Sequence, residues 1–205
     1  MNIFFDLDGT LWDSSDRLFR LFCDLACNQT LSKEEYWSIK RSKISNEEIL
    51  RSRFDYTEDK VNSFSGEWLK MIEAPNYLEL DKLFPFTLDV LEDMQDRGYD
   101  IYYVTLRQYA DRALQEIADK GISTYCKCCL VSEAKTNKEV LVRNAGIALS
   151  AEDVFVGDTG IDVLTAKALG IRSIAVLSGF RNREILEGYT PDVILNDVSE
   201  LKQLL

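Results

Sequence analysis

The sequence has no histidine among its 205 residues. This absence excludes the Ser-His-Asp and Cys-His arrangements of nucleophilic catalysis, and it excludes the zinc sites that depend on imidazole ligands. If the chain is an enzyme that works near neutral pH, its protons must be carried by carboxylates, by lysines or by a metal-bound water.

Cysteine is also scarce, with five residues in the whole sequence. An odd number of cysteines at irregular spacing favours reduced thiols over a disulfide framework. With no histidine and no second CxxC pair beside Cys126 and Cys129 to complete a zinc shell, the cysteines do not predict a zinc site either. The residues concerned are Cys23, Cys27, Cys126, Cys128 and Cys129.

The sequence is short of long hydrophobic runs and of positive charge. No apolar run reaches the roughly 18 residues of a membrane span, and the N-terminus lacks the layout of a signal peptide, so we expect a soluble, cytoplasmic protein with no membrane partner. The net charge is −11 and the lysines and arginines are scattered, which argues against nucleic acid as a partner. The 46% of hydrophobic residues suffices for one core and a small accessory domain.

Short runs rich in β-branched and aromatic residues alternate with helical stretches. The helices are predicted to end at glycines, namely Gly98, Gly121, Gly146 and Gly170. Strand, helix and strand at this spacing predict right-handed crossovers and an α/β fold, a doubly wound parallel sheet of Rossmann-like type. The predicted strands cover residues 2–6, 100–105, 127–131, 153–157, 172–177 and 192–195.

The stretch after the first strand breaks this alternation, because it contains helical patterns and no convincing strand. Apolar residues from Leu18 to Ala26 recur at helical spacing, and Ser45 with Glu48 predicts a capping box. We therefore predict a helical cap domain at residues 15–81, inserted into a core domain of residues 1–14 and 82–205. An insertion at the carboxyl end of the first strand lies where open α/β sheets bind ligands, so the cap can close over a site.

Polar side chains follow four of the predicted strands, and the carboxyl ends of parallel strands lie at one edge of a sheet. Each has an ordinary explanation when taken singly, such as a turn, a strand end, a surface lysine or a helix cap. The functional interpretation needs all of them in this order. They are Asp6 and Asp8 in "DLDGT", Thr105, Lys135, and Asp158 and Asp162 in "GDTGID".

The order of these motifs resembles the haloacid dehalogenase superfamily, and in particular its phosphoglycolate phosphatase-like branch with a helical cap. The resemblance implies a phosphatase that hydrolyses a small phosphorylated metabolite through an aspartyl-phosphate. Asp6 would be the nucleophile, and Asp8 would be the general acid and then the base. Thr105 and Lys135 would bind the phosphoryl oxygens. The metal would be held by Asp6, the backbone carbonyl of Asp8 and Asp158, with Asp162 in support.

Electrostatics explains why a metal is expected. At ~4 Å and an effective dielectric near 20, each pair of like charges costs roughly 4 kcal/mol. A divalent cation reverses that repulsion where Asp6, Asp158 and Asp162 meet an incoming phosphate. Mg²⁺ is the expected cofactor, because the ligands are hard oxygens and Mg²⁺ accepts few carboxylates together with waters and a phosphate.

Two positions depart from the family pattern. Leu106-Arg107 follow Thr105, where the family usually has a small polar residue. The family lysine is often followed by proline, whereas Lys135 is followed by Thr136, and Lys138 lies close by. We prefer Lys135 because Thr136 and Glu139 predict a capping box, which would place Lys135 just before the helix.

Two other functions stay open at this level. A sugar phosphomutase shares the fold and differs mainly in how the cap excludes water. A receiver-like signalling module, which is not an enzyme, also combines an acidic pair with Mg²⁺, a threonine and a lysine. Its phosphorylated aspartate would correspond to a position near Asp55, in a stretch with no predicted strand.

Overall fold

The computed structural model describes residues 1–27 and 30–205. Six of its strands form a parallel sheet in the order β5-β4-β1-β6-β7-β8, and β2 pairs with β3 in a separate antiparallel ribbon. The strands are β1 (Asn2–Phe5), β2 (Trp12–Asp13), β3 (Lys82–Leu83), β4 (Asp100–Thr105), β5 (Cys126–Val131), β6 (Val154–Gly157), β7 (Arg172–Val176) and β8 (Val193–Leu195).

The helices follow the strands in alternation, except between β2 and β3, where five helices occur in succession. Those five are α1 (Ser15–Ala26), α2 (Lys33–Arg41), α3 (Asn46–Phe54), α4 (Glu58–Met71) and α5 (Pro75–Leu78). The others are α6 (Thr87–Asp96), α7 (Ala110–Asp119), α8 (Lys138–Asn144), α9 (Gly160–Leu169), α10 (Arg183–Glu187) and α11 (Leu201–Leu204), with a 3₁₀ turn at Val198–Glu200.

Helices cover both faces of the sheet, as the alternation of side chains along β1 shows. Ile3 and Phe5 belong to a core cluster with α6 and α7, whereas Phe4 belongs to a second cluster with α8 and α9. Successive residues of a strand point to opposite faces, so both faces of β1 are buried. The predicted doubly wound α/β fold is confirmed.

The helices between β2 and β3 have an apolar core of their own, in which Phe22, Tyr36, Leu50 and Phe64 are buried. The inserted helical cap is thus part of the observed fold. The sequence did not predict the β2–β3 ribbon, in which Trp12 pairs with Leu83. The proposed boundaries of the two domains, at residues 14/15 and 81/82, stay a prediction, and residues 15–81 are called the cap below.

The start of α8 differs from the prediction. The helix begins at Lys138, and the side chain of Asn137 caps it by accepting a hydrogen bond from the Val140 N–H at 2.9 Å. The predicted capping box of Thr136 and Glu139 is therefore wrong. Asparagine is a stronger N-cap than threonine, which favours the later start of the helix.

Within residues 1–27 and 30–205, no helix combines the length and apolar character needed to cross a membrane.

Candidate active site

The carboxyl ends of three neighbouring strands meet beneath the cap. Asp6 follows β1, Thr105 ends β4, and Asp158 follows β6; all three side chains are buried. A cavity of about 270 Å³ opens at this edge of the sheet. Its polar lining includes Asp6, Asp8, Arg17, Thr105, Arg107 and Lys138.

Three carboxylates form a cluster beside this cavity. Oxygen atoms of Asp6, Asp158 and Asp162 lie within 4.8 Å of one another. Lys138 is 3% exposed, and its Nζ donates hydrogen bonds to Asp6 and, at 2.6 Å, to Asp162. Asp162 also accepts hydrogen bonds from the N–H and hydroxyl of Thr159, at 3.0 and 2.6 Å, and so caps α9. Asp162 thereby connects the helix to the lysine.

Asp158 has one carboxylate oxygen with a partner and one without. Its Oδ2 accepts a hydrogen bond from the Phe180 N–H, whereas its Oδ1 is buried with no hydrogen-bond partner among residues 1–27 and 30–205. The backbone approaches this carboxylate closely: a Cβ at Gly179 would lie 2.0 Å from Asp158 Oδ2, and one at Gly9 would lie 2.5 Å away. A buried acceptor without a donor is costly unless something else binds it, and a cation is such a group.

The electrostatics of the cluster reflect burial together with like charge. Burial raises the pKa of Asp158, and the neighbouring Asp6 and Asp162 raise it further. Burial is also the largest cause that raises the pKa of Asp6, while Lys138 opposes it. For Lys138, burial alone would lower the pKa, but Asp162 and Asp6 outweigh it and raise the pKa. A bound dication reverses the effect of the like charges, because it favours the ionised carboxylates.

Asp8 is surrounded by hydrogen-bond donors. Its carboxylate accepts hydrogen bonds from Ser14 Oγ at 2.6 Å, Trp12 Nε1 at 3.1 Å, and Arg107 Nε and Nη2 at 2.7 Å each. Arg17 Nη2, from α1 of the cap, donates one more. Burial alone would raise the pKa of Asp8, but Arg107 and Arg17 outweigh it and hold the pKa well below its usual range.

Lys135 does not reach the site. Its side chain is 74% exposed, and its Nζ pairs with Glu133 at 3.2 Å. Lys138 takes the place beside Asp6 that the sequence analysis assigned to Lys135, so the predicted placement of Lys135 is wrong. The cause is the shifted helix start: Lys138 is the first residue of α8, next to the cap residue, and its side chain turns inward to the carboxylates.

The family model for haloacid dehalogenase-like hydrolases matches residues 3–176, which is most of the chain. The chain belongs to the haloacid dehalogenase-like hydrolase family. The resemblance drawn from "DLDGT" and "GDTGID" is thus confirmed. The receiver-like alternative is wrong, and Asp55, the residue it would use, ends α3 in the cap in a left-handed conformation.

Relatives of this haloacid dehalogenase-like hydrolase match it over nearly its whole length. The pyrophosphatase PpaX of Bacillus pumilus is 26% identical, covering 97% of this chain and 93% of the relative. A phosphoglycolate phosphatase of Vibrio parahaemolyticus is 25% identical, covering 99% and 95%. The structure of a haloacid dehalogenase-like family protein from Streptococcus pneumoniae has a TM-score of 0.79 at 24% identity, covering 99% of this chain and 97% of that one. The predicted enzyme class, a phosphoric monoester hydrolase of this superfamily, is confirmed.

Sequence reasoning did not assign a role to three charged residues of the hydrolase that line the cavity, namely Arg17, Glu73 and Arg107. Arg107 stood at the position where the motif departs from the family pattern. Arg17 lies four residues before Leu21, on the apolar face of α1. A charged residue on a face that is otherwise apolar indicates a buried charge and could have pointed to the site. Glu73 accepts hydrogen bonds from the N–H groups of Gln108 and Tyr109, at 2.7 and 3.2 Å, and so connects the cap to the start of α7.

Proposed function

We propose that this hydrolase is a Mg²⁺-dependent phosphatase that cleaves a small phosphorylated metabolite through an aspartyl-phosphate on Asp6. The observation that carries the proposal is the arrangement at the end of the cavity: a buried carboxylate, a buried lysine bonded to it, and a neighbouring carboxylate with a free oxygen. In this proposal residues 1–14 and 82–205 perform the chemistry, and the cap selects the substrate.

The donor set suits Mg²⁺. Asp6, the backbone carbonyl of Asp8 and Asp158 would hold the ion with hard oxygen ligands, and the free Oδ1 of Asp158 supports this assignment. The ion supplies positive charge that offsets the repulsion between the carboxylates and the phosphate. Asp162 is already occupied by Lys138 and Thr159, so it supports the site by holding Lys138 in place.

The protein residues divide the reaction between them. An oxygen of Asp6 attacks phosphorus in line with the ester bond, which breaks as the new bond forms. Lys138 and Thr105 bind the phosphoryl oxygens, with Lys138 in the role first given to Lys135. Asp8, in its protonated form, delivers a proton to the departing alcohol oxygen, and the carboxylate left behind later takes one from the water that hydrolyses the aspartyl-phosphate.

The cap keeps bulk water away from this reaction. On the cap side the cavity is lined by Leu18, Trp68 and Ile72, and on the core side by Leu106, Ile161 and Phe180. These apolar walls lower the local dielectric and so strengthen the electrostatic interactions at the phosphoryl group. The cavity volume of about 270 Å³ suits a small metabolite.

Phosphate release from a panel of phosphate compounds, with Mg²⁺ and with EDTA, tests the proposal. The panel includes phosphoglycolate and pyrophosphate, because two relatives are named as a phosphoglycolate phosphatase and a pyrophosphatase. We expect Mg²⁺-dependent turnover that Asp6→Asn lowers by at least about a thousandfold, since the nucleophile is lost. Asp16→Asn is the matched control, because Asp16 is partly exposed and pairs with Lys33 and Lys82. Turnover that ignores Mg²⁺ or survives Asp6→Asn would refute the mechanism.

A further inference from the structure

Asp8 has no acceptor position left for a substrate. A carboxylate offers about four lone-pair sites. Five donor atoms already reach Asp8, from Trp12, Ser14, Arg17 and Arg107. The proposed function requires Asp8 to exchange a proton with the leaving oxygen, so at least one of these donors must give way when the substrate binds.

The two arginines cannot lose Asp8 without a replacement partner. Arg17 and Arg107 are 3% and 5% exposed, and both line the cavity. Each also contacts Asp81, which lies 3.1 Å from Arg17 Nε and 3.1 Å from Arg107 Nη2. If Asp8 turned away, two buried guanidinium groups would share Asp81, and a buried charge without its partner is strongly unfavourable.

The other acidic groups near the arginines cannot replace the charge of Asp8. Glu116 lies 3.2 Å from Arg107 Nη2 but also pairs with Lys120 at 3.4 Å. Two arginines and Lys120 thus balance Asp8, Asp81 and Glu116, and removal of Asp8 leaves one excess positive charge. Arg107 Nη1 is buried and, in the part of the chain that the structure describes, has no hydrogen-bond partner even with Asp8 in place. Of the two arginines that line the cavity, Arg107 therefore has an unused hydrogen-bond donor.

We propose that Arg17 and Arg107 bind a second anionic group, a carboxylate or a phosphate, on the leaving-group side of the substrate. That group takes the place of Asp8 between the arginines and releases Asp8 toward the leaving oxygen. The inference rests on the proposed function, since it assigns the substrate class of that same site. The substrate is then anionic at both ends, with Lys138 and Thr105 at the transferred phosphoryl group and the arginine pair at the other end.

The chemistry of the pair suits such a group. Guanidinium groups bind carboxylates and phosphates through parallel hydrogen bonds, and these charge-assisted bonds are about twice as strong as neutral ones. Apart from Glu73, whose carboxylate accepts hydrogen bonds from the Gln108 and Tyr109 N–H groups, the rest of the lining near the cap is apolar, at Leu18, Trp68 and Ile72. A neutral polar leaving group would gain little there and would leave Asp8 held by its five donors.

Matched substrates test this directly in the wild-type protein. Carboxymethyl phosphate and carbamoylmethyl phosphate have the same size and differ in the charge of one end. We expect kcat/KM for the carboxylate to exceed that for the amide by at least about tenfold, as expected for a hydrogen-bonded charge. Phosphonomethyl phosphate against the same carbamoylmethyl phosphate forms the second arm, and the larger of the two ratios shows whether a carboxylate or a phosphate-like group is preferred.

Arginine variants show whether the selectivity comes from this pair. In Arg17→Gln we expect the carboxylate-to-amide ratio to fall below about threefold. Turnover of the amide should fall by less than turnover of the carboxylate, because the amide has no charge for the arginine to bind. Arg17→Lys keeps the charge and should retain part of the ratio, and it serves if Arg17→Gln does not fold. Arg20→Gln is the matched control on the same helix, since Arg20 is 68% exposed and pairs with Asp24.

The inference is overturned if the wild type treats each pair of substrates equally, or if Arg17→Gln and Arg17→Lys lower both members of a pair to the same extent. The latter result would indicate a structural role. Asp6→Asn separates the two proposals. If Asp6 is essential and the ratios are near one, the second anionic site is wrong and the phosphatase mechanism stands. If turnover survives Asp6→Asn, the mechanism itself fails.

Discussion

At the scale of single residues, Lys138 has the most informative surroundings. It is a buried ammonium group between Asp6 and Asp162, with its charge compensated by both. A buried lysine is stable only when paired, and this pairing also fixes its direction toward the cavity. The same contacts hold Asp6 in one position, so Lys138 both orients the proposed nucleophile and faces the proposed phosphate.

Substitution of the two candidate lysines distinguishes their roles. We expect Lys138→Met to lower kcat/KM for phosphate release by about a hundredfold or more, because one cation that stabilises the transition state is lost. Lys135→Met makes the same substitution three residues away and serves as the control. It should change kcat/KM by less than about twofold, because the exposed side chain of Lys135 pairs with Glu133 on the surface. Steady-state kinetics with circular dichroism to check folding measures both. Equal losses in the two variants would contradict the assignment.

At the scale of elements, the pairing of β1 with β6 positions the carboxylates. Phe5 pairs with Val156, and the Asp6 N–H donates to the Val156 carbonyl at 2.9 Å, which aligns the end of β1 with the end of β6. The other end of the pair is secured by Asp153. Its carboxylate accepts hydrogen bonds from the Asn2 N–H at 2.7 Å and the Ser150 N–H at 2.8 Å.

This contact predicts a pH dependence of stability. Burial alone would raise the pKa of Asp153, but the hydrogen bonds from Asn2 and Ser150 outweigh it and lower the pKa. A lowered pKa in the folded state means that the contribution to stability is present above the ordinary pKa of aspartate and is lost as the pH falls through the folded pKa.

We expect Asp153→Asn to lower the free energy of unfolding at pH 7 by about 1–3 kcal/mol, as for a hydrogen-bonded charge. The difference from wild type should shrink as the pH falls below about 4. Urea unfolding at pH 7 and at pH 3.5 measures it, with Glu152→Gln as an exposed neighbouring control. A difference that stays constant between the two pH values would contradict the prediction.

At the scale of the whole molecule, polar contacts hold the cap against the core around the cavity. Glu73 accepts a hydrogen bond from the Gln108 N–H, just before α7, and Arg41 Nη2 donates to the Leu177 carbonyl at 2.8 Å. The ring of Trp37 lies 5.2 Å from that of Phe180, whose N–H donates to Asp158. The loop that follows β7 therefore contacts both the cap and the proposed metal ligand.

Metal binding should be visible in the stability of the whole molecule. A ligand that binds only the folded state stabilises it by about 2.7 kcal/mol at a hundred times its Kd, and each kcal/mol raises the Tm of a chain of this size by about 2–4 °C. We expect saturating Mg²⁺ to raise the Tm by several degrees relative to EDTA. This increase should be absent in Asp158→Asn.

Asp158→Asn should also affect the stability of the metal-free protein. Because burial raises the pKa of Asp158, the ionised side chain is unfavourable without a cation. Asp158→Asn in EDTA should therefore be at least as stable as the wild type in EDTA. Differential scanning fluorimetry measures both proteins, with Asp16→Asn as the control that keeps the Mg²⁺ response. An equal response to Mg²⁺ in wild type and Asp158→Asn would reject the metal site.

The ends of the sheet strands were predictable because each depends on local chemistry. The observed strands differ from the predicted ones by at most one residue at either end, since β-branched runs that stop at Asp or Gly leave few alternatives. The helices α2, α5, α10 and α11 and the β2–β3 ribbon were not predicted. They are short, and short elements owe their formation to tertiary contacts more than to local propensity.

The sequence by itself determined the fold class, the family and the positions of Asp6, Thr105, Asp158 and Asp162 at the strand ends, because parallel topology brings those ends to one edge. Only the tertiary structure decided between Lys135 and Lys138. The helix α8 is capped by Asn137 and not by Thr136, and this shift of one residue changes which lysine faces the site. The tertiary structure alone also showed the arginines around Asp8. Arg17 and Arg107 are 90 positions apart along the chain, and a long-range pairing of buried charges leaves no local pattern to detect.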